Sequence, residues 1–243
     1  MTALMNNILN SNIKIIIQAR VGSMRLPSKS LAQIGDYKLI EWVILRIISR
    51  FKPQDVILAT TLLSEDDAFE SICTKYSINI FRGSENNVFS RFKFLACKYG
   101  INSTLIRVCA DNPFVSPDLI FKTVNYYESK NLEYCHSLQE LPIFPYVDGL
   151  GVEVFSSEMI ANFDESKLDS YDREHVTSFF KKNDIFHKRC GMPTPDEYKF
   201  PRLSLDIDNL QDLNSIRELI KTYQITIKSS DSKILLAANN FFN

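Results

Sequence analysis

Between Gln18 and Lys29 the chain reads Gln18-Ala19-Arg20-Val21-Gly22-Ser23-Met24-Arg25-Leu26-Pro27-Ser28-Lys29. Arg20, Arg25 and Lys29 supply three positive charges, and Ser23 adds a hydroxyl. Gly22 lets the backbone turn tightly and expose N–H groups, and Pro27 stiffens the exit. Side chains of these types at this spacing can hold several negative charges at once, as a polyphosphate requires. The stretch is not a Walker A loop, because the second glycine of that pattern is missing. By charge alone it reads equally as a solvated basic surface.

Carboxylates at two other places could complete such a site. Asp111 lies in Ala110-Asp111-Asn112-Pro113, directly after an apolar run, and Asp206-Ile207-Asp208 closes another. Alternation in an extended segment puts Asp206 and Asp208 on one side. Carboxylates beside phosphates are costly unless a cation lies between them. Mg²⁺ is the natural cation, since it binds through one or two carboxylates plus phosphates and water. The plainer readings are a turn residue for Asp111 and a helix N-cap for Asp208. Arg82-Gly83-Ser84 and Arg91 read as a turn and a solvated helical arginine, or as further nucleotide contacts. Glu153 interrupts an apolar strand, which is expensive unless it is paired or faces a cleft. Arg173-Glu174-His175 is either a solvated helix face or part of a second substrate site.

The elements that position these groups follow from periodicity. Ile13 to Ile17 is a continuous apolar run, the pattern of a strand buried on both faces of a parallel sheet. The basic stretch is therefore a loop at that strand's carboxyl end, where open α/β sheets bind ligands. The sequence then predicts a helix over Tyr37–Arg50 after a Gly35-Asp36 turn and a strand over Asp55–Thr60. A helix from an N-cap at Ser64 to Tyr76 and a strand over Ser77–Phe81 follow. Next come a helix over Asn87–Tyr99 closed by Gly100, a strand over Thr104–Cys109, and a helix capped by Ser116-Pro117-Asp118. Strands alternating with helices argue an α/β fold with a parallel sheet. Beyond this, strands are expected at Leu132–Gln139, Gly151–Phe155, Ile185–Cys190 and Arg202–Ile207, with helices at Tyr171–Lys182 and Asn209–Tyr223. The tail to Asn243 carries no clear pattern. No linker divides the chain, so a single domain over residues 13–243 is expected. Its nucleotide half spans residues 13–130, and an acceptor and dimer half spans 131–225.

The 243 residues are 45% hydrophobic and 23% charged, with a formal net charge of −1, which excludes a broad nucleic-acid or membrane surface. No apolar run approaches the roughly 20 residues needed to cross a bilayer. Residues Met1 to Asn12 are polar and Asn-rich and are expected to form a disordered lead, not a signal peptide. The five cysteines are odd in number and contain no Cys-x-x-Cys, so neither a disulfide framework nor a zinc site is expected. Reduced thiols of a cytoplasmic protein are the simpler reading.

The whole pattern Gln-Ala-Arg-x-Gly-Ser-x-Arg-Leu-Pro-x-Lys resembles the amino-terminal signature of the cytidylyltransferases related to the spore-coat polysaccharide protein SpsF. That family is akin to the synthetases of CMP-activated Kdo and sialic acids. Asp111-Asn112-Pro113 resembles its Asp-x-Pro element, and Asp206-Ile207-Asp208 with Asp212 its late Asp-x-Asp-x-x-x-Asp element. Arg82-Gly83-Ser84 with Arg91 resembles its Arg-Gly-Ser…Val-Leu-x-Arg element, although Asn87 stands where the family has Asp and Phe89 where it has Leu. Gly151 to Phe155 and Arg173 to Thr177 resemble two later elements. The likeness runs from about Ile13 to Leu219.

It implies a Rossmann-like mixed, mostly parallel sheet flanked by helices, of the glycosyltransferase-A-type nucleotidyltransferase fold. It implies CTP bound by Gln18, Ala19, Arg20, Gly22, Ser23, Arg25, Lys29, Arg82, Gly83, Ser84, Arg91 and Asp111. Mg²⁺ on Asp111, Asp206 and Asp208 is implied too, with Arg20, Lys29, Asp111 and Asp206 carrying catalysis. The acceptor would meet Glu153, Arg173, Glu174 and His175. It would be a 2-keto-3-deoxy sugar acid or else a phosphorylated sugar or polyol, in surface polysaccharide synthesis by a homodimer. A nucleotide-sugar glycosyltransferase and a non-catalytic nucleotide-binding subunit are the competing readings, and the basic loop disfavours the first.

Overall fold

In the computed structural model, residues 12–23, 25–185 and 187–242 are described. The expected polar lead lies outside them, apart from Asn12, which is the first residue of strand β1, Asn12–Gln18. The loop after β1 leads into a hairpin, β2 (Gln33–Ile34) and β3 (Tyr37–Lys38), joined at Gly35-Asp36, then helix α1 (Leu39–Ile48). The helix expected from Tyr37 thus begins two residues later, because Tyr37 and Lys38 pair with Gln33 and Ile34. Next come β4 (Val56–Thr61), α2 (Ala68–Tyr76), β5 (Asn79–Gly83) and α3 (Val88–Tyr99). Ser64 does not cap α2; a 3₁₀ turn over Ser64–Asp67 precedes it. Asn87 does cap α3, accepting from the Ser90 N–H. Strand β6 (Ser103–Cys109) follows, then α4 (Pro117–Ser129), capped by the Ser116 hydroxyl as its sequence indicates.

The second half supplies β7 (Tyr134–His136), β8 (Glu153–Ser156), α5 (Ser157–Asn162), α6 (Ser170–His175), α7 (Ser178–Lys182) and β9 (Arg189–Gly191). It closes with α8 (Leu210–Thr222) and α9 (Asp231–Phe242). The single helix expected over Tyr171–Lys182 is broken at Val176, whose φ of 50° no helix accommodates. Arg202–Ile207 is extended but makes only one isolated bridge, Asp148 to Ser204, and is not a strand. The unpatterned tail is α9, and its Asp231 accepts from buried Arg46 at 2.7 Å and from the Tyr198 hydroxyl at 2.8 Å.

The sheet order is β5-β4-β1-β6-β8-β7-β9, with β8 alone running opposite to its neighbours. Along β1, Ile15 and Ile17 enter the core beneath α1, α4, α8 and α9, while Ile16 enters the core beneath α3 and α7. Burial on both faces is what the unbroken Ile run encodes. From β1 the chain goes to β4 on one side and later returns through β6 on the other. The sheet's topological switch therefore falls between the carboxyl ends of β1 and β6, and a crevice opens there.

Candidate active site

The basic loop starts at that crevice and is tied down before it reaches any ligand. Asp66, fully buried, accepts from the Val21 N–H at 2.7 Å, from the Thr60 hydroxyl at 2.6 Å and from the Thr61 N–H at 3.0 Å. Burial pushes its pKa up, but these hydrogen bonds outweigh burial and hold it below the ordinary value. Within the loop the Ser30 hydroxyl donates to the Arg20 carbonyl at 3.1 Å, and the Leu26 N–H meets the Ser23 hydroxyl at 3.4 Å. Ser28, at φ 55°, takes the left-handed conformation just before Lys29. A Cβ at Gly22 would lie 2.6 Å from the exposed Glu65 carboxylate, which would have to turn aside.

A cleft of about 270 Å³ lies above the ends of β1 and β6. Gln18, Ala19, Arg20, Ser23, Arg25, Lys29, Arg91, Asp111 and Glu174 all line it. Most of the first loop, with Arg91 and Asp111, therefore converges on one place, together with Cys109 and Val88. Arg91 is the most informative of them. It is 2% exposed, donates only to the carbonyls of Ala59 (2.8 Å) and Ala19 (3.4 Å), and leaves Nε without a partner. Among the described residues it makes no ion pair. Desolvation, then the nearby Arg20 charge, pushes its pKa down to about 10. It remains charged at neutral pH, buried, with the Asp66 charge acting in its favour but no ion pair of its own.

The acidic residues gather on the β6 side. The Ile207 N–H donates to the Asp111 carbonyl at 2.9 Å, which pins the Asp206–Asp208 segment beside Asp111. The Lys29 ammonium lies 3.0 Å from Asp111 and 3.5 Å from Asp208, and Arg25 grips Asp208 through two bonds of 2.6 and 2.9 Å. Asp206 accepts from the Ser204 hydroxyl and faces an adjoining cavity of about 330 Å³ shared with Arg25 and Asp208. Asp212 is a capping residue, accepting from the N–H groups of Asp208 and Asn209.

Asp148 belongs to the same acidic group and was not singled out in the sequence. The residue is exposed to solvent. Desolvation of its carboxyl, then Asp206, and further Asp111 and Asp208, raise its pKa. The neighbouring Gly149 (φ 88°) admits no side chain, because a Cβ would lie 2.6 Å from the Asp206 nitrogen. The Asp148-Gly149 pair was the available signal: a glycine in a left-handed turn beside an acid. Asp66 carried no such signal.

Several expected contacts lie elsewhere. Arg82 turns away from the cleft to Asp67 at 2.5 Å, Glu70 at 2.8 Å and the Thr61 and Leu63 carbonyls, so it clamps the segment after β4. Gly83 and Ser84 do not line the cleft. Glu153 is 2% exposed and saturated: it accepts from Arg107, Lys181 (3.1 Å), the Tyr134 hydroxyl (2.7 Å) and the Thr177 hydroxyl (2.6 Å). It acts through Arg107, which also donates to Gln18 at 2.8 Å. His175 packs against Tyr171 with ring centroids 4.1 Å apart and planes tilted by 38°, and burial, then Arg107, lowers its pKa. Arg173 keeps its Nε buried without a partner. Of that trio only Glu174 reaches the cleft, 3.8 Å from Arg20.

The donor set fits Mg²⁺. Asp111 and Asp208 already share one cation, the Lys29 ammonium, and every acidic group present offers hard oxygen. Among the described residues no three such side chains close around a metal position, so an ion here would take its other ligands from phosphates and water.

A cation-lined crevice at the switch point of a mixed sheet, with carboxylates on its far rim, defines a nucleotidyltransferase. The chain belongs to the cytidylyltransferase family, whose model matches residues 14–237. It is 31% identical over 216 residues to the spore coat polysaccharide biosynthesis protein SpsF of Bacillus subtilis, covering 86% of each chain. The structure of a cytidylyltransferase from Leptospira borgpetersenii superposes with a TM-score of 0.83 at 24% identity, over 95% of this chain and 94% of that one. CMP:2-keto-3-deoxy-manno-octonic acid synthetase, solved with CTP, shares the fold at a TM-score of 0.60 and 15% identity, over 87% and 99%. The chain is a CTP-dependent nucleotidyltransferase.

Proposed function

We propose that the protein transfers CMP from CTP to a sugar acid of the 2-keto-3-deoxy type and releases pyrophosphate, with Mg²⁺ as its metal. The observation that carries this reading is Arg91: a buried, unpaired guanidinium facing the same cleft as Arg20, Arg25 and Lys29 calls for an anionic occupant. An acceptor oxygen attacks the α-phosphorus, the bond to the bridging oxygen breaks, and the electron pair leaves on pyrophosphate. Arg20, Arg25 and Lys29 grip the β- and γ-phosphates and neutralise the charge that grows on the leaving group. Gln18, Ala19 and Ser23 set the nucleotide's position, and Glu174 faces the acceptor. Asp111, Asp206 and Asp208 would hold Mg²⁺, which supplies charge neutralisation at the phosphates when bound.

The sugar-acid acceptor is supported by the resemblance to the CMP-Kdo synthetases, and a role in surface polysaccharide synthesis by the kinship with SpsF. A homodimer working in the cytoplasm is part of the same proposal. A screen of the four nucleoside triphosphates against sugar acids, sugar phosphates and polyol phosphates, read by pyrophosphate release, tests the proposal. Release with CTP and a sugar acid is expected. Release only with a phosphorylated acceptor would transfer the assignment to that class. No pyrophosphate from any triphosphate, with nucleoside diphosphate released from an added nucleotide-sugar, would mean glycosyl transfer.

A further inference from the structure

Each cation of the first loop, Arg20, Arg25 and Lys29, is engaged by a carboxylate. Arg25 holds Asp208 through both terminal nitrogens, and Lys29 lies between Asp111 and Asp208. Arg20 is more loosely held, 4.0 Å from Glu85 and 3.8 Å from Glu174. The carboxylates come from four separate places: after β5, after β6, within α6 and before α8. A triphosphate can reach the cations only by displacing them. The displaced carboxylates, with Asp148 and Asp206 close by, would then face one another with no cation among them. A divalent ion arriving first meets the opposite obstacle, an ammonium lodged between Asp111 and Asp208.

We propose that the cations and carboxylates of this site neutralise one another and that it loads by exchange of partners. Polyphosphate takes Arg20, Arg25 and Lys29, and the divalent cation takes the carboxylates that they release. This inference deepens, and rests on, the proposed reading of the cleft as a Mg²⁺–triphosphate site. Neither ligand binds well alone, because each alone leaves one set of charges unpaired in a partly desolvated cleft. The two are therefore cooperative beyond their association in solution. One consequence runs against the ordinary expectation for a metal ligand. Neutralising Asp208 frees Arg25 and leaves Lys29 with Asp111 alone, so metal-free polyphosphate should bind more tightly.

Calorimetric titration with inorganic pyrophosphate, first in EDTA and then in Mg²⁺, tests this. Pyrophosphate carries no base, so the result does not depend on which nucleotide the protein prefers. If CTP fails to bind while the pyrophosphate behaviour is as described, the nucleotide assignment falls and the exchange stands. Asp208→Asn is expected to bind metal-free pyrophosphate about tenfold more tightly than wild type, the scale of one charged pair that no longer has to be broken. It should also gain much less from added Mg²⁺. Asp118→Asn removes the same charge beside Arg50 and should change neither quantity. Should Asp208→Asn fail to fold, Glu174→Gln, which frees only the loosely held Arg20, should still tighten metal-free binding by a smaller factor. A folded Asp208→Asn that binds metal-free pyrophosphate no better than wild type overturns the proposal. So does equal tightening in Asp118→Asn, or failure of every variant to bind pyrophosphate.

Discussion

Glu153→Gln separates a buried strut from a substrate contact. The carboxylate receives Arg107 on one oxygen and Lys181, Tyr134 and Thr177 on the other. Glutamine keeps the shape but turns one oxygen into a donor, and either orientation then opposes Arg107 or Lys181. Lys181, 40% exposed, can turn to solvent; Arg107, 11% exposed, cannot, and keeps only Gln18. Removing one partner of a buried pair costs about 3 kcal/mol or somewhat more. For a chain of this size that lowers Tm by roughly 6–12 °C. The effect depends on pH in a definite direction. Burial raises the Glu153 pKa, but Arg107, Lys181 and the hydroxyls prevail and hold it well below the ordinary carboxylate value. A folded pKa below the unfolded one contributes stability above the unfolded value of about 4.5, and that stability is lost as pH falls below it. The gap between wild type and variant, read by thermal or urea unfolding, should be widest near neutrality and narrow towards acid. A variant within about 0.5 kcal/mol of wild type at pH 7, the range of an ordinary surface substitution, but with a raised acceptor KM, would refute the strut. Glu153 would then be a cleft residue.

Other substitutions probe the cleft itself. Lys29→Ala and Arg20→Ala should each lower kcat/KM by about a hundredfold, near 3 kcal/mol, and weaken pyrophosphate product inhibition; wild-type rates with unchanged inhibition would leave the loop a solvated surface. Asp206→Asn should abolish turnover at physiological Mg²⁺ with little change in Tm, because it relieves repulsion from Asp148; large destabilisation with retained turnover would make Asp206 structural. Arg91→Met should fold as stably as wild type or more so, since it removes an unpaired buried charge, yet lose nucleotide affinity in calorimetry. A destabilised Arg91→Met with normal affinity would show that its two carbonyl contacts are its whole role.

Much of this arrangement was legible in the sequence because local chemistry and periodicity agreed there. The Ile run of β1, the cap at Ser116, and the helix before Gly100 all lie where their types require. The misreadings came from tertiary partners that spacing does not encode. The strand pattern required Glu153 to be paired or to face a cleft, and the family likeness implied an acceptor contact; Arg107, opposite it on β6, makes it paired. Arg82 read as a nucleotide contact, but α2 brings Glu70 to it. The helix over 171–182 breaks at Val176, a residue whose identity gives no warning of a left-handed turn. The extended run at 202–207 has strand periodicity but borders the cleft loop, where it makes isolated bonds to Asp148 and Asp111 in place of a ladder.

The central claim is that the cleft is built for CTP with Mg²⁺. Titration of the protein with CTP, UTP, ATP and GTP in Mg²⁺, followed by calorimetry, measures it directly. CTP should bind at least about tenfold more tightly than the other three, a margin of about 1.4 kcal/mol. ATP binding far more tightly than CTP would contradict the claim.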